Sequence, residues 1–542
     1  MPAVMNAGKE RGAGPDPRRW WALSALVASM LVLGFDMTIL NVALPTMAAQ
    51  LGASTGEQQW MADSYVIVFA ALMLPGGLLG DRFGRRSMLV AGLGLFMAGS
   101  AVGVLVHSVP PVIAARAVMG LGGALMMPLA MAVIPTLFGP EERPKAVGAI
   151  AAASALGLPL GPIVGGWLLD HFWWGSVFLI NIPMAGIGIL ACLFLLPESR
   201  DPAAPRVDAI SAALTGTGLG ALVYGITEAP SRGVADPLVL GAVAAAVALV
   251  AALVRRDRRA RRPMLDVALL ADRGFLLNTL AATLVMFVLS GLMFVLTPYL
   301  QAVLRYDAFG TGLRMLPLMG GMIVAAKGAQ PLVARFGARG VMSAGLTVLA
   351  FAAFLGSRTG AVPHHLQGVG ATPTGYGFTA LWLSVAGLGA GFTVVPAMDA
   401  ALGALPADRA GSGSGLMLTL RQMGSALGIA LLGSLLAGAF RDRLDVTGLP
   451  APAAGQAGES VVAAHLVAAR AGAERLAASA DAAYVHGMNL VLLVCGGVAL
   501  VTALLAAALL TGPAGVRPGP GGPRGGPRPA GDMAAAQVDG RE

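Results

Sequence analysis

Asp36 and Arg116 each stand in a long apolar run, where a charge is expensive. Burial favours the neutral form of a carboxyl, whereas water or a nearby cation favours the charged form. A helix that exposes Asp36 first to one side of a membrane and then to the other would bind and release one proton per cycle. An arginine two turns into an apolar run needs a counter-charge or carbonyl groups, and Asp36 is the natural partner for Arg116, directly or through water. Plainer readings stand beside these. Asp36 could be a structural acid bonded to a hydroxyl or to Asn41, and Arg116 could snorkel to headgroups from its place near the end of its run. Glu228, Lys327, Asp399 and Arg421 are further charges within or near apolar runs. Lys327 is open to three uses: contact with an acidic substrate, pairing with an acid across a cavity, or reaching the aqueous face. Asp63, near the end of its run, is expected to be solvated.

Other chemistries find little support. No Gly-Lys-Ser/Thr nucleotide loop occurs, which argues against an ATP-driven pump. Cys192 and Cys495 lie inside apolar runs, and the six histidines fall in or beside connections without zinc-ligand spacing. Neither a disulfide framework nor a metal site is expected. No catalytic constellation is present, so an enzyme is not expected. A proton gradient, rather than a cofactor, would supply the energy.

The elements that must position these residues are membrane helices. The chain is 56% apolar and only 12% charged, too few charges to cover a soluble fold of 542 residues. Apolar stretches of 18 or more residues recur, each long enough to cross about 30 Å of hydrocarbon. They are too long and too evenly apolar for barrel strands, so helices must satisfy the backbone. The fold class is therefore an all-α membrane protein. About fourteen spans are expected, at 20–48, 60–80, 88–106, 111–137, 146–167, 177–196, 208–228, 237–254, 274–300, 311–332, 341–356, 378–402, 412–440 and 486–511. The polar start leads straight into the first span with no small-residue cleavage site, which reads as an uncleaved span.

The net charge of +8 could suggest nucleic acid, but the basic residues sit in short connections between spans. Placing the amino terminus inside assigns 25 of the 36 Lys and Arg residues to inner segments and 7 to outer ones. That bias puts both termini in the cytoplasm.

The sequence also repeats. Arg82-Phe83-Gly84-Arg85-Arg86 leads into Leu93 as Arg335-Phe336-Gly337-Ala338-Arg339 leads into Leu346. Gly120-Leu121-Gly122, Glu141 and Gly148 match Gly387-Leu388-Gly389, Asp408 and Gly415 without a gap. Two six-span halves with two spans left over suggest a transporter of parallel repeats, with a substrate path between the halves. The expected divisions are a cytoplasmic tail at 1–19, a first half at 20–200, two linker spans at 201–262, a second half at 263–511 and a Pro/Gly-rich tail at 512–542 that should be disordered. The longest outer connection, 441–485, contains an Ala-rich stretch from Ser460 to Ala482 that could form a surface helix.

Two further motifs have physical content. In Gly77-Leu78-Leu79-Gly80-Asp81-Arg82-Phe83-Gly84-Arg85-Arg86, Gly84 permits a tight turn. Asp81 can pair with Arg82, with Arg85 or with the positive end of a facing helix. Such a charged latch could close the cytoplasmic side and break on inward opening; plain anchoring by positive charge is the alternative. The second copy has Ala334 in place of the acid and should latch more weakly. In the fifth span, Gly157, Gly161 and Gly165 fall at i, i+4 and i+8, one face that lets another helix approach closely. Pro162 should kink that helix. The 26 methionines could in part line an adaptable pocket, although gap-filling accounts for most of them.

Together these motifs resemble the fourteen-helix drug:proton antiporters of the major facilitator superfamily, over about Trp20 to Leu510. Asp36-Met37-Thr38-Ile39-Leu40-Asn41-Val42-Ala43-Leu44-Pro45 resembles the family's first-helix signature. The 77–86 decapeptide resembles the superfamily's loop between spans 2 and 3. Arg116 with Gly120, Gly122 and Gly123 resembles the fourth-helix motif, although Met119 stands where the family often has Gln. Gly157 through Gly166, with Gly161, Pro162, Gly165 and Gly166, resembles the antiporter motif that uptake symporters generally lack. Trp173-Trp174, Phe178, Asn181 and Pro183 resemble the start of the sixth helix, without the usual arginine between the tryptophans. In the second half, Pro298-Tyr299-Leu300-Gln301, Leu316-Pro317 and Arg421-Gln422-Met423-Gly424 also match family positions.

The resemblance implies the major facilitator fold and proton-driven export of small amphipathic or hydrophobic compounds such as antibiotics. Proton coupling would fall to Asp36 and Arg116, and Asn41, Tyr299, Gln301, Lys327, Asp399 and Arg421 are candidates for the substrate cavity. The expected partners are a small-molecule substrate, protons and the lipid bilayer, with no nucleic acid, in a monomer of the bacterial inner membrane. Uptake by proton symport, or narrow export of a single secondary metabolite, remains the alternative.

Overall fold

The computed structural model describes residues 18–139, 142–200, 208–259, 267–360, 376–405 and 410–509. Segments 1–17 and 510–542, Glu141, Asp408, His364 and His365 lie outside the described residues, and with them most of both expected tails.

The described residues are almost wholly helical. In order they form α1 Arg18–Leu51, α2 Thr55–Phe83, α3 Arg85–Leu105, α4 Val109–Leu137, α5 Arg143–His171, α6 Ser176–Leu179, α7 Asn181–Leu195, α8 Ala209–Arg232, α9 Pro237–Arg259, α10 Arg273–Pro298, α11 Ala308–Gly356, α12 Tyr376–Gly403, α13 Ala410–Arg443, α14 Ala451–Ala457, α15 Val461–Ala471 and α16 Glu474–Leu509. Eleven are long and apolar enough to cross a membrane, or twelve when the bent pair Thr55–Met73 and Pro75–Phe83 counts as one span. Helix α11 has 49 residues, and Gly337 breaks it into two rods at φ 75°, ψ 157°. Counting those rods separately and adding the 29-residue α5, the helices fall on the fourteen expected spans. Gly84, at the matching place in the first repeat, also has positive φ, at 111°. Only glycine takes that turn cheaply, so both copies of the Arg-Phe-Gly sequence break the helix at the same point.

Short side chains fix where helices begin. Ser54 and Glu57 form a reciprocal capping box at the start of α2. Asp208, Asp272 and Asp307 accept from backbone N–H groups in the first turns of α8, α10 and α11.

Helices α1 to α7 pack on one another, as do α10 to α16. The two sets meet where α5 crosses α11 and α2 crosses α13, and α8 lies beside α2 and α13. Helix α9 is peripheral, packing mainly on α8. Large apolar residues face outward, Phe194 being 82% exposed, as a lipid-facing surface requires.

The Ala-rich stretch from Ser460 to Ala482 is not one surface helix. Gly472, in the left-handed region, ends α15, and Glu474 begins α16. Val461, Ala464, Val467 and Ala468 are buried. Thr55 donates from its backbone N and its hydroxyl to the Glu459 carbonyl, which ties this connection to α2.

Candidate functional site

Asp36 is 1% exposed in α1 and Arg116 is 2% exposed in α4, so both are buried. The Arg116 Nη1 donates to Asp36 Oδ2 at 2.7 Å. Asn181 Nδ2 donates to Asp36 Oδ1 at 3.0 Å. Arg116 also donates from Nε to the Met61 carbonyl at 3.3 Å, and its guanidinium lies 4.4 Å from the centroid of the Tyr65 ring. Three helices thus supply the groups around one carboxylate, each of whose oxygens has a donor. Snorkelling does not describe Arg116, whose head is turned inward.

Helix α5 places α1 for this arrangement. A Cβ on Gly161 would overlap Thr38 Oγ1, one on Gly165 would overlap Ile39, and Gly157 lies against the backbone of Gly34 and Phe35. Thr38 Oγ1 donates to the Gly157 carbonyl at 3.1 Å across this contact. The i, i+4, i+8 glycine face therefore sets the depth of the helix that carries Asp36.

Between the two helix sets lies a cavity of about 410 Å³. Eight methionines line it: Met30, Met37, Met73, Met127, Met286, Met293, Met319 and Met322. Its polar lining includes Thr38, Asn41, Tyr65, Arg116, Ser290, Arg421, Gln422 and Ser425. Arg116 thus touches both the cavity and the buried acid.

Among the described residues, the hydrogen bonds that join the two sets lie at the end of the bundle that holds Ser54. Gln59 Nε2 donates to the carbonyls of Ile429 and Ala430, at 3.0 and 2.9 Å. Gln301 Nε2 donates to the Val42 carbonyl at 2.8 Å. Asp170, at the end of α5, accepts from the backbone N–H groups of Ala308 and Phe309. A Cβ on Gly166 would overlap the Ala308 carbonyl, and one on Gly312 would overlap the Pro162 carbonyl, so backbone meets backbone there. At the opposite end, which holds Gly84, the contacts among the described residues stay within the first set. Asp81 pairs with Arg85 at 2.8 Å, and Arg85 Nη1 donates to the Ala132 carbonyl. Glu198 accepts from the backbone N of Arg86 and of Ser87, and from the Ser87 hydroxyl. Gly77 packs against Pro128, and Arg82 lies over the Phe83 ring.

Of the six residues expected near substrate, Asn41 and Arg421 line the cavity. Tyr299 and Gln301 do not: Tyr299 is buried in the π-helical turn after α10, and Gln301 is engaged with Val42. Lys327 and Asp399 are exposed and away from it, Asp399 being held by Gln330 at 2.6 Å. Asp63 is a clear correction. It is fully buried, and neither carboxyl oxygen has a hydrogen-bond partner among the described residues. Hydropathy placed it near the end of a span, but α4, α8 and α13 all pack on α2 and bury it among helices. Asp170 and Gln59 leave no signal in side-chain types because their partners are backbone groups, and Glu198 meets mainly backbone N–H groups more than a hundred residues away in sequence.

Comparison with known proteins accords with this architecture. The Major Facilitator Superfamily pattern matches residues 26–429. The chain is 32% identical to a tetracenomycin C resistance and export protein of Streptomyces glaucescens, over 90% of this chain and 91% of that one. It is 33% identical to the multidrug efflux pump LfrA of Mycolicibacterium smegmatis, over 87% and 92%. Among solved structures, a bacterial homolog of the human lysosomal transporter Spinster, inward-facing and occupied, superposes with a TM-score of 0.64 at 16% identity, over 92% and 98%. Its likeness concerns the fold alone. On the family pattern and on these relatives, the chain belongs to the major facilitator superfamily.

Proposed function

We propose that this chain is a proton-driven exporter of small amphipathic or hydrophobic compounds in the bacterial cell membrane, with both termini cytoplasmic and the monomer as the working unit. The observation that carries the reading is the buried carboxylate of Asp36, held by Arg116, which also borders the cavity. The resistance and efflux proteins named above support the direction of transport.

On this reading the Ser54 end faces outward and is closed in the state described. Release of the Asp170 and Gln59 contacts would open it and expose Asp36 to protons from outside. A proton on Asp36 removes the charge that holds Arg116, and the freed guanidinium changes the cavity wall. Return to the inward-facing state restores the pair and expels the proton. Each charge moved inward is worth about 2.3 kcal/mol per 100 mV, before any pH gradient. Asp63 supplies a second acid. Its carboxyl, buried without a hydrogen-bond partner among the described residues, is a second group that could carry a proton through the cycle.

Narrow export of a single metabolite is a second reading, favoured by relatives named for one compound, such as the puromycin resistance protein of Streptomyces alboniger, 34% identical over 79% of this chain and 83% of that one. Proton flux in inside-out vesicles tests the proposal. Antibiotics and dyes should dissipate an imposed pH gradient with the wild type and not with Asp36→Asn. Normal drug-triggered proton release from that variant would overturn the proton role. A response to one compound alone would select the narrow reading.

A further inference from the structure

We propose that the cavity selects compounds that join an apolar body to a negative charge, and that Arg421 receives that charge; this rests on the exporter reading above. Among the described residues, the cavity's charged lining consists of Arg116 and Arg421, with no carboxylate. Arg116 is neutralised by Asp36. Arg421 is not. Its Nη1 lies 3.2 Å from the Met398 sulfur and its Nη2 3.6 Å from the Met286 sulfur. Its Nε is buried without a hydrogen-bond partner, and no acid lies within ion-pairing distance of it among the described residues.

Thioethers are weak acceptors, and a guanidinium carries five donors in a planar fork. Arginines inside a membrane protein pair with acids or carbonyls as a rule. Arg421 therefore stands as half of an ion pair whose other half is absent among the described residues. A carboxylate or an acidic hydroxyl matches its fork in geometry and charge. Gln422, Ser290 and Ser425 add neutral hydrogen-bonding groups on the same side, and flexible thioethers adapt to the apolar body. A cationic compound would meet a like charge with no acid in the wall to offset it.

Charge movement follows. Export of a monoanion against one inward proton carries two charges down an inside-negative potential, whereas export of a monocation against one proton carries none. Export of acids should therefore accelerate with membrane potential, and export of cations against a single proton should not.

The test uses the purified full chain and three fluorescent probes that share one pyrene body: the butanoic acid, its primary amide and a trimethylammonium analogue. The acid should bind tighter than the trimethylammonium compound by about ten- to hundredfold, the worth of a charge-assisted hydrogen bond. Arg421→Gln should bring the acid's affinity down to that of the amide, and Arg421→Lys should keep part of the preference. Equal binding of the three by the wild type, or tightest binding of the cation, overturns the proposal whether or not the variants fold. So does an acid preference that survives in Arg421→Gln. Vesicle assays with the same probes separate the two readings. Acid-selective binding without proton movement leaves the charge selection standing and removes antiport. Proton movement driven best by the cation does the reverse.

Discussion

Asp170 holds the first turn of α11 from the opposite helix set, its Oδ2 accepting the backbone N–H of Phe309 at 2.9 Å and its Oδ1 that of Ala308 at 3.1 Å. Asp307 already caps this helix at Gly310, so two carboxylates meet the positive end of one helix. The second of them exists only while the two sets touch.

That contact is expected to behave as a gate. Asp170→Asn should loosen it, and Gly166→Val should forbid it, because a side chain at Gly166 has backbone in its way. Both native cysteines are buried, so a single cysteine introduced at Phe309 would report its own exposure. Labelling of Phe309→Cys by an impermeant maleimide from outside should rise in both backgrounds, more in Gly166→Val. Unchanged labelling would mean that the outer closure lies elsewhere.

The central ion pair should tolerate little. Arg116→Ala leaves Asp36 buried without its counter-charge, which costs about 3–5 kcal/mol. Arg116→Lys keeps the charge but cannot hold Asp36, reach the Met61 carbonyl and lie on Tyr65 together. Thermal unfolding should show a large loss for the alanine variant and a small one for the lysine variant, with export lost in both. Export by Arg116→Lys at the wild-type rate would reduce this arginine to a structural role.

Asp63 should separate stability from coupling. Asn replaces it with a neutral group of the same shape, so Asp63→Asn should melt no lower than the wild type. Protons released per substrate should nonetheless fall. A variant with unchanged proton stoichiometry would leave this acid without a part in transport.

Glu198 and Asp81 should differ in kind. Glu198 caps the start of α3, and its loss should cost about 1 kcal/mol of stability. Asp81→Ala removes a partly exposed pair worth less than about 1 kcal/mol, so its effect should appear in export rate and hardly in melting.

Acid should spare the clamp between α8 and α9. Asp208 is desolvated, which would raise its pKa, but hydrogen bonds from Arg256 and Ser211 outweigh this and hold it at about 2. A carboxyl depressed in the folded state stabilises above its unfolded pKa near 3.8 and loses that contribution as pH falls through about 2. Melting curves of wild type and Asp208→Asn should therefore differ by a constant amount from pH 7 to pH 4 and converge only below that.

The legible part of this protein was what one dimension can carry. Hydropathy located the spans, and two charges in the wrong solvent, Asp36 and Arg116, had few partners to choose from. Asn181 completed the site from a helix start that the family resemblance marked without assigning it a role. Asp63 is buried where its place in the sequence suggests a solvated span end, because its burial depends on helices that pack on α2 from elsewhere in the chain. Lys327 and Asp399 looked central because a span was treated as uniformly buried, whereas their faces of α11 and α12 are exposed. Tyr299 and Gln301 sit at the crossing of helices rather than beside the cavity, a distinction that spacing alone does not make.

The methionine lining carries a liability of its own. Eight thioethers around one chamber are eight sites at which an oxidant adds oxygen, and each sulfoxide turns a pliable, greasy surface into a polar, chiral one. Hypochlorite or peroxide would then disarm the pump from within while its gates and ion pairs stayed intact. Its working life in a cell under oxidative attack would depend on the reductases that restore methionine.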